Sequence, residues 1–257
     1  MAKVICIANQ KGGVGKTTTS VNLSASLAAA ERKTLLIDMD PQGNASSGVG
    51  VDKEGLAETV YDILINETDP AGAIIPTGFA GLDLLPATSD LAGAELELVA
   101  AMARELKLKH ALEAFRDRYD YIIIDCPPSL NLLTINSLTA ADSVLIPLQC
   151  EFYAMEGLSQ ILNTIRLVQK GLNSALKIEG ILLTMYDARN NLSRQVSEEI
   201  KTHFPREIFA TVIPRNVRLS EAPSHGKPII LYDITSRGAA SYLELAKEIL
   251  KKEESNG

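Results

Sequence analysis

The chain has 257 residues, of which 46% are hydrophobic and 22% are charged, and this balance is that of an ordinary globular protein. With 25 lysines and arginines against 32 aspartates and glutamates, its formal net charge of −7 excludes a protein that coats nucleic acid with its whole surface. Three cysteines without a CxxC pair exclude a disulfide framework and a thiolate metal cage, and no apolar run is long enough to cross a bilayer. We therefore expect a cytoplasmic protein with no membrane partner.

Short runs rich in Val, Ile and Leu recur along the chain, and they are nearly continuous rather than alternating with polar residues. This pattern is typical of strands buried on both faces of a parallel sheet. It predicts strands at residues 4–8, 34–37, 82–85, 121–124, 143–147, 178–184 and 208–213.

The segments between these runs have helical periodicity, as at residues 17–29 and 158–168, whereas residues 51–79 predict an irregular excursion that contains helix. Alternating strands and helices predict an α/β fold, a doubly wound, mostly parallel twisted sheet with helices on both faces. We see no linker or internal repeat, so we expect one domain that spans residues 1–257.

The first predicted strand runs into a glycine-rich loop that opens a helix, Gln10-Lys11-Gly12-Gly13-Val14-Gly15-Lys16-Thr17-Thr18. Glycines let successive N–H groups point toward one centre, and the positive end of the helix adds to their field, so the loop predicts a phosphate site. Lys16 is expected to reach the β- and γ-phosphates of ATP, and the Thr17 hydroxyl to ligate Mg²⁺. A glycine-rich turn without a ligand is the alternative.

This loop departs from the usual pattern Gly-x4-Gly-Lys-Ser/Thr. Gln10 stands where the first glycine should be, and Lys11 adds a second lysine ahead of the pair Gly12-Gly13. The departure places an extra positive charge beside a predicted phosphate site.

Two later strands end in carboxylates. Asp38 and Asp40 follow the second predicted strand, and Asp125 ends the apolar run 121–124 in the Walker B pattern. The carboxyl ends of parallel strands meet at one edge of a sheet, so these side chains are expected near the phosphate loop, where Asp125 can hold a water on Mg²⁺. The alternative is that the carboxylates cap helices.

The sequence KGGVGKTT resembles the phosphate loop of the deviant Walker A ATPases, P-loop NTPases that include the ParA/Soj partition proteins, MinD and the nitrogenase iron protein. In that family the extra lysine crosses the interface of an ATP-bound dimer. The resemblance therefore implies that Lys11 acts between subunits and that Gly12 lies where two subunits come closest. It also implies that Asp40 orients the attacking water and that Asp38 supports the metal and the loop.

Four segments look like chromosomal ParA/Soj: DxDPQGNAS, IIIDCPPSL, residues 146–158 and residues 213–224. The resemblance implies that Pro214 and Asn216 contact the adenine, with Thr184 and Met185 nearby. A proline-containing turn that binds no ligand is the alternative.

ParA/Soj proteins act as ATP-dependent homodimers on double-stranded DNA, and a ParB-type centromere-binding protein with a basic N-terminal segment stimulates their hydrolysis. The resemblance implies the same partners here and a nucleoid-associated, ATP-bound form. Residues 189–237 hold eight basic and five acidic side chains, so this segment is +3 in a chain of −7. Within it Arg189 and Arg218 match the family's DNA-binding pattern. The alternative for each arginine is a solvated surface charge.

Two rival functions remain open at this stage. A MinD-like positioning protein would act without DNA, but the polar C-terminal residues do not resemble a basic amphipathic membrane helix. A kinase-like enzyme would transfer phosphate to a small molecule, and its ADP release would depend on that acceptor. The cluster-binding relatives need cysteine ligands at a spacing that Cys6, Cys126 and Cys150 do not have.

Overall fold

The computed structural model describes residues 1–256, and a seven-stranded sheet forms its centre. Parallel pairing joins all neighbouring strands except β3 and β4, which are antiparallel. The spatial order is β3-β4-β2-β5-β1-β6-β7. The strands are β1 (Lys3–Ile7), β2 (Thr34–Asp38), β3 (Ile75–Pro76), β4 (Leu82–Leu85), β5 (Tyr121–Asp125), β6 (Ser143–Gln149) and β7 (Lys177–Thr184).

Eleven α-helices are described in residues 1–256, together with a π-helical turn at Asp62–Asn66 and short 3-10 turns. They are α1 (Lys16–Ala29), α2 (Asn44–Gly48), α3 (Pro70–Ala73), α4 (Leu91–Glu97), α5 (Lys107–Glu113), α6 (Leu132–Ala140), α7 (Ala154–Gly171), α8 (Asn191–His203), α9 (Val217–Glu221), α10 (Ile229–Tyr232) and α11 (Arg237–Asn256).

The apolar side chains of the sheet divide between two hydrophobic clusters, one on each face. In β1, Val4 and Cys6 pack with α5, α6, α7 and α8, whereas Ile5 and Ile7 pack with α1 and α11. Because successive strand residues point to opposite faces, a strand covered on both sides must be apolar at every position. The prediction of a doubly wound α/β sheet from continuous apolar runs is therefore confirmed.

The topology brings the phosphate loop and the acidic strand ends together. Strand β5 lies between β1 and β2. Its last residue, Asp125, is paired in register with Ile7 of β1 on one side and with Asp38 of β2 on the other. The carboxyl ends of these three strands thus meet in the crevice where open parallel sheets bind their ligands.

The predicted strand at residues 208–213 is wrong. The segment runs beside β7, and its ends bond to that strand, with Phe209 N–H donating to the Ile181 carbonyl at 3.0 Å and Ile213 N–H to the Leu183 carbonyl at 2.9 Å. Between those ends the backbone N–H groups of Ala210 and Thr211 donate instead to the Glu248 carboxylate of α11, at 2.9 and 3.0 Å. A distant carboxylate therefore takes the hydrogen bonds that a regular strand would use.

The irregular excursion predicted for residues 51–79 holds the π-helical turn, α3 and the two-residue edge strand β3, which its sequence pattern did not show. Helix α7 extends beyond the predicted 158–168 at both ends. The added residues 169–171 contain no apolar side chain, and Gly157 interrupts the apolar pattern near the start of the helix.

Candidate nucleotide-binding site

The glycine-rich loop connects β1 to α1 in a conformation that requires glycine at two positions. Gly13 has φ of +72° and Gly15 has φ of +87°, and Gly15 is the N-cap residue of α1. Both angles lie in the left-handed region, where a side chain would be strained. The Thr184 hydroxyl donates to the Val14 carbonyl at 2.8 Å and so ties the loop to the end of β7.

Asn9 fixes the start of the loop. Its side-chain nitrogen donates to the Pro147 carbonyl in β6 at 2.7 Å, and its side-chain oxygen accepts from the Lys11 N–H at 3.0 Å. Asn9 is buried, so these bonds hold the loop to the sheet without competition from water.

Lys16 is the first residue of α1, and its side chain lies back under the loop. It is only 6% exposed, and its Nζ donates to the Lys11 carbonyl at 3.1 Å. Burial lowers the pKa of Lys16, while the nearby charges of Asp125 and Asp40 oppose that shift. The ammonium group is therefore held where phosphate oxygens would meet the loop.

Asp38 and Asp125 end two neighbouring strands, and both are completely buried. Burial and, after it, the charge of Asp38 raise the pKa of Asp125 to about 8. Burial likewise raises the pKa of Asp38 to about 6 against three hydrogen bonds that lower it. Two buried carboxylates side by side are costly when both are charged, so this edge of the sheet favours a cation.

The hydrogen bonds of Asp38 run to the segment that follows β2. Its Oδ2 accepts from the Ser46 N–H and hydroxyl, both at 2.8 Å, and its Oδ1 accepts from the Asp40 N–H at 3.1 Å. Asp40 is 7% exposed, and its own Oδ1 accepts from the Gln42 N–H at 2.9 Å. Asp38 thus fixes the loop that carries Asp40.

Asp125 has one satisfied oxygen and one free oxygen. Its Oδ1 accepts from the Ser20 hydroxyl at 2.7 Å, and the nearby Thr17 side chain also lowers the pKa of this carboxyl group. Its Oδ2 is buried and has no hydrogen-bond partner. A buried carboxylate oxygen without a partner is rare and costly, which points to a ligand that is bound in use.

The oxygens at this edge fit Mg²⁺. The Thr17 hydroxyl and the free oxygen of Asp125 are hard oxygen donors, and Mg²⁺ usually binds one or two protein groups and keeps its other positions for water and phosphate. Among the described residues, no group of three or more His, Cys, Asp or Glu side chains could hold a metal. A magnesium ion that arrives with a nucleotide does not need such a group.

Two adjoining cavities lie above these residues. One, of about 330 Å³, is lined by loop residues together with Asp40 and Pro128, and the other, of about 300 Å³, by Met185, Pro214 and Asn216. Gly15, Thr18 and Met185 line both, so the two cavities are direct neighbours. All three predicted adenine contacts therefore lie beside the phosphate loop, although their role remains a prediction.

The smaller cavity includes one residue that the sequence reasoning missed. Tyr242 of α11 lines this cavity together with Ile213, which belongs to the predicted segment 213–224. The Asn216 side-chain oxygen accepts from the Arg218 N–H at 2.8 Å and caps α9, so this side chain also has a structural role.

Lys11 lines neither of the two cavities. Its Nζ lies 2.6 Å from the Glu151 carboxylate, just beyond the end of β6. Gly12 is open, because a Cβ at this position would have the Pro128 Cβ as its nearest neighbour, at 3.9 Å. The structure thus leaves room around Gly12 within one chain.

Arg189 and Arg218 are both paired with carboxylates. Arg189 bonds through two nitrogens to Asp187, at 3.0 and 2.9 Å, and Arg218 lies 2.9 Å from Glu221 and 3.4 Å from Asp233. Their segments are neighbours, because residues 186 and 214 form a parallel bridge. The charge count of residues 189–237 omitted Asp187, so it overstated the free positive charge of this surface.

Besides Asn9 and Tyr242, four side chains that organise the site were not identified from the sequence. Ser20 could have been found, because it lies one helical turn after Lys16 on the face of α1 toward β5. Ser46, Glu151 and Asp187 carried no such indication, since their roles depend on which segments the fold brings together.

The chain is similar to known proteins over most of its length. Residues 2–178 match the family described as the AAA domain. The chain is 65% identical to the sporulation initiation inhibitor protein Soj of Bacillus subtilis (strain 168), over 97% of this chain and 98% of that protein. It is 58% identical to the chromosome partitioning protein ParA of Myxococcus xanthus (strain DK1622), over 98% of this chain and 89% of that protein.

A solved structure with a similar fold is that of cobyrinic acid a,c-diamide synthase from Mycobacterium smegmatis with bound ADP and magnesium. It superimposes with a TM-score of 0.88 and 40% sequence identity, covering 100% of this chain and 97% of that one.

The buried carboxylates predict how stability depends on pH. A raised pKa means that the folded protein keeps protons that the unfolded chain releases, so stability falls as pH rises from the unfolded value of 3.8 to the folded values. Between about pH 5.5 and pH 8 the nucleotide-free protein should lose at least a few degrees of Tm in differential scanning calorimetry. In Asp125→Asn the decline should be clearly smaller, and identical slopes in the two proteins would contradict the assignment.

Proposed function

The chain belongs to the Soj/ParA family of chromosome-partitioning ATPases, and we propose that it couples ATP hydrolysis to reversible dimerisation and DNA binding. In this proposal ATP binding drives two copies into a sandwich dimer, the dimer binds double-stranded DNA without sequence preference, and hydrolysis releases it. A ParB-type partner stimulates hydrolysis. One observation carries the proposal. Asp38 and Asp125 are buried at neighbouring strand ends beside the phosphate loop, and one oxygen of Asp125 has no hydrogen-bond partner.

The contacts within the site support the following roles in this proposal. The loop from Gly12 to Thr18 and the Lys16 ammonium bind the phosphates, while Met185, Pro214 and Asn216 bind the base. Thr17 and Asp125 would hold Mg²⁺, directly or through water, with Asp38 supporting them. When bound, the ion would supply positive charge that stabilises the phosphate chain. The M. smegmatis structure with bound ADP and magnesium supports this cofactor pair.

Hydrolysis needs a water held in line with the γ-phosphate, and chemistry of this kind depends mainly on positioning and electrostatics. Asp40 orients that water in this proposal. The Asp38–Ser46 and Asp38–Asp40 hydrogen bonds hold its loop in place, so the carboxylate can act without a further ordering step.

Dimerisation would complete the charge balance of the site. A triphosphate closed off between two subunits loses its water, so an additional cation lowers the cost of burying it. Lys11 is suited to this role across the interface, since its ammonium pairs with Glu151 and it lines neither cavity of its own chain. The open space around Gly12 allows a second backbone to approach the loop closely.

The DNA surface would consist of Arg189 and Arg218 on adjacent segments of each subunit. Both side chains are well exposed. One subunit offers about two phosphate contacts and binds weakly, whereas a dimer offers about four, and the second pair engages at high effective concentration. This explains why DNA binding would require ATP and why the ATP-bound form would associate with the nucleoid.

Helix α11 argues against a membrane-bound, MinD-like alternative. Its apolar residues Tyr242, Leu245 and Ile249 are buried against the sheet, and Tyr242 shares a hydrogen bond with Thr19 of α1 at 3.2 Å. Between residues 1 and 256, no helix is long and apolar enough to span a bilayer. Liposome and DNA co-sedimentation with ATP distinguishes the two functions.

A small-molecule enzyme is the other alternative, because the structural neighbour carries the name of a diamide synthase. The chain is closer in sequence to Soj, at 65% identity, than to that protein, at 40%. If ADP release required a small-molecule acceptor, the proposed role in chromosome partitioning would be wrong.

The two lysines should differ in their effects on nucleotide binding. Lys16→Ala removes the buried counter-charge of the phosphates and should weaken ATP binding by at least about a hundredfold. Lys11→Ala should leave ATP binding by the monomer within about threefold of the wild type, because its ammonium lies outside the cavity, but it should prevent the dimer. Isothermal titration calorimetry measures the affinities, and an equal loss in both variants would refute this division of roles.

The arginines should govern DNA binding through phosphate contacts. In Arg189→Ala or Arg218→Ala, each dimer loses two contacts, so the slope of log affinity against log salt should flatten by about 1.8. The loss should be similar on unrelated duplexes, because phosphate contacts do not read bases. Fluorescence anisotropy between about 50 and 200 mM salt, where wild-type binding should weaken about a hundredfold, provides the measurement.

Asp187→Asn is the matched variant for this experiment. It removes the carboxylate that competes for Arg189 and should therefore tighten DNA binding while leaving the ATP-dependent dimer intact. Wild-type affinity and salt slope in both arginine variants would show that the patch is misplaced.

A further inference from the structure

The salt bridge between Lys11 and Glu151 lies at the mouth of the phosphate loop. The Lys11 Nζ donates to Glu151 Oε2 at 2.6 Å, and the two side chains are 36% and 47% exposed. Glu151 follows β6 by two residues, and Asn9 joins the backbone of Lys11 to β6 through its bonds to the Lys11 N–H and the Pro147 carbonyl. Both ends of the bridge are therefore anchored to the same part of the sheet.

This bridge conflicts with the role proposed for Lys11 in the dimer, on which the present inference rests. A lysine that binds a partner's nucleotide must first leave Glu151. The abandoned carboxylate then lies beside two closely spaced triphosphates, where its charge is repulsive. The bridge thus favours the monomer in two ways, by stabilising the separated chain and by adding negative charge to the interface.

We propose that Glu151 is a positioning residue that restrains Lys11 in the monomer. It thereby raises the protein concentration at which the ATP-bound chain dimerises. The bridge keeps the Lys11 ammonium paired with Glu151, and Lys11 lines neither cavity of its own chain. Binding of a second nucleotide-loaded subunit exchanges the carboxylate for phosphate oxygens as the partner of Lys11. No covalent change is involved, so the exchange is fully reversible when the nucleotide is hydrolysed.

The size of the effect follows from the exposure of the bridge. A partly exposed salt bridge stabilises a protein only modestly, but a symmetric dimer must break two of them. Removing both should strengthen dimerisation by about two- to thirtyfold. A restraint of this size tunes an equilibrium and does not block it.

The test compares Glu151→Gln with Glu156→Gln. Glu156 is an exposed carboxylate in the first turn of α7, so the control variant makes the same charge change five residues away. Sedimentation velocity at a series of protein concentrations with Mg²⁺ and a non-hydrolysable ATP analogue gives the dimer dissociation constants. We expect a lower dimer dissociation constant for Glu151→Gln and a wild-type dissociation constant for Glu156→Gln. The difference in dissociation constant between wild type and Glu151→Gln should become smaller as added salt screens the bridge.

A second measurement detects the bridge itself. In the nucleotide-free monomer, a double-mutant cycle of Lys11→Ala and Glu151→Gln on thermal stability should show favourable coupling between the two side chains, while a Lys11→Ala and Glu156→Gln cycle should show none. Glu151→Asp, which keeps the charge on a shorter side chain, should dimerise with a constant between those of wild type and Glu151→Gln.

The outcomes separate this inference from the function on which it rests. A wild-type protein that stays monomeric with the ATP analogue would contradict the proposed function. A wild-type protein that dimerises, together with an unchanged or weaker dimer in Glu151→Gln, would overturn the restraint alone. Absence of coupling in the Lys11–Glu151 cycle would also overturn it.

Discussion

The electrostatics of this site depend on two carboxylates that are buried at the ends of neighbouring strands. Asp38 and Asp125 have no access to water, and the charge of Asp38 makes Asp125 harder to ionise. Hydrogen bonds satisfy Asp38, but one oxygen of Asp125 has no partner. The arrangement becomes favourable when a cation binds beneath a phosphate chain, because that ligand supplies the missing positive charge. Binding of a nucleotide with its cation should therefore stabilise the folded chain.

Charge pairing also determines the properties of the surfaces around the site. In the isolated chain Lys11 pairs with Glu151, Arg189 with Asp187, and Arg218 with Glu221. Each pair is exposed enough to be weak, so a polyanion can displace the carboxylate at little cost. In the proposed cycle the triphosphate of a partner subunit displaces Glu151, and the DNA backbone displaces the carboxylates beside the arginines. Weak internal pairing would thus keep the basic groups in place and available.

The sequence predicted those parts of the structure that depend on local pattern. Continuous apolar runs specified the doubly buried sheet, and the glycines, lysines and terminal aspartates specified the loop and the acidic edge that it covers. Residues 208–213 are apolar and β-branched like a strand, yet Glu248, nearly 40 residues later, takes their central hydrogen bonds. The partners of Lys11 and Arg189 were equally hidden, because a salt bridge depends on tertiary placement and has no sequence period.

The central claim is that bound ATP, before hydrolysis, holds two copies of the chain together. Sedimentation velocity of Asp40→Ala with Mg²⁺ and ATP tests it most directly, since this variant keeps the phosphate loop but lacks the carboxylate proposed to orient water. We expect a stable dimer with ATP and a monomer with ADP. Gly12→Val provides the control, because its side chain has space within one chain but would obstruct a second, so it should remain monomeric with ATP. A monomeric Asp40→Ala protein at saturating ATP would contradict the claim.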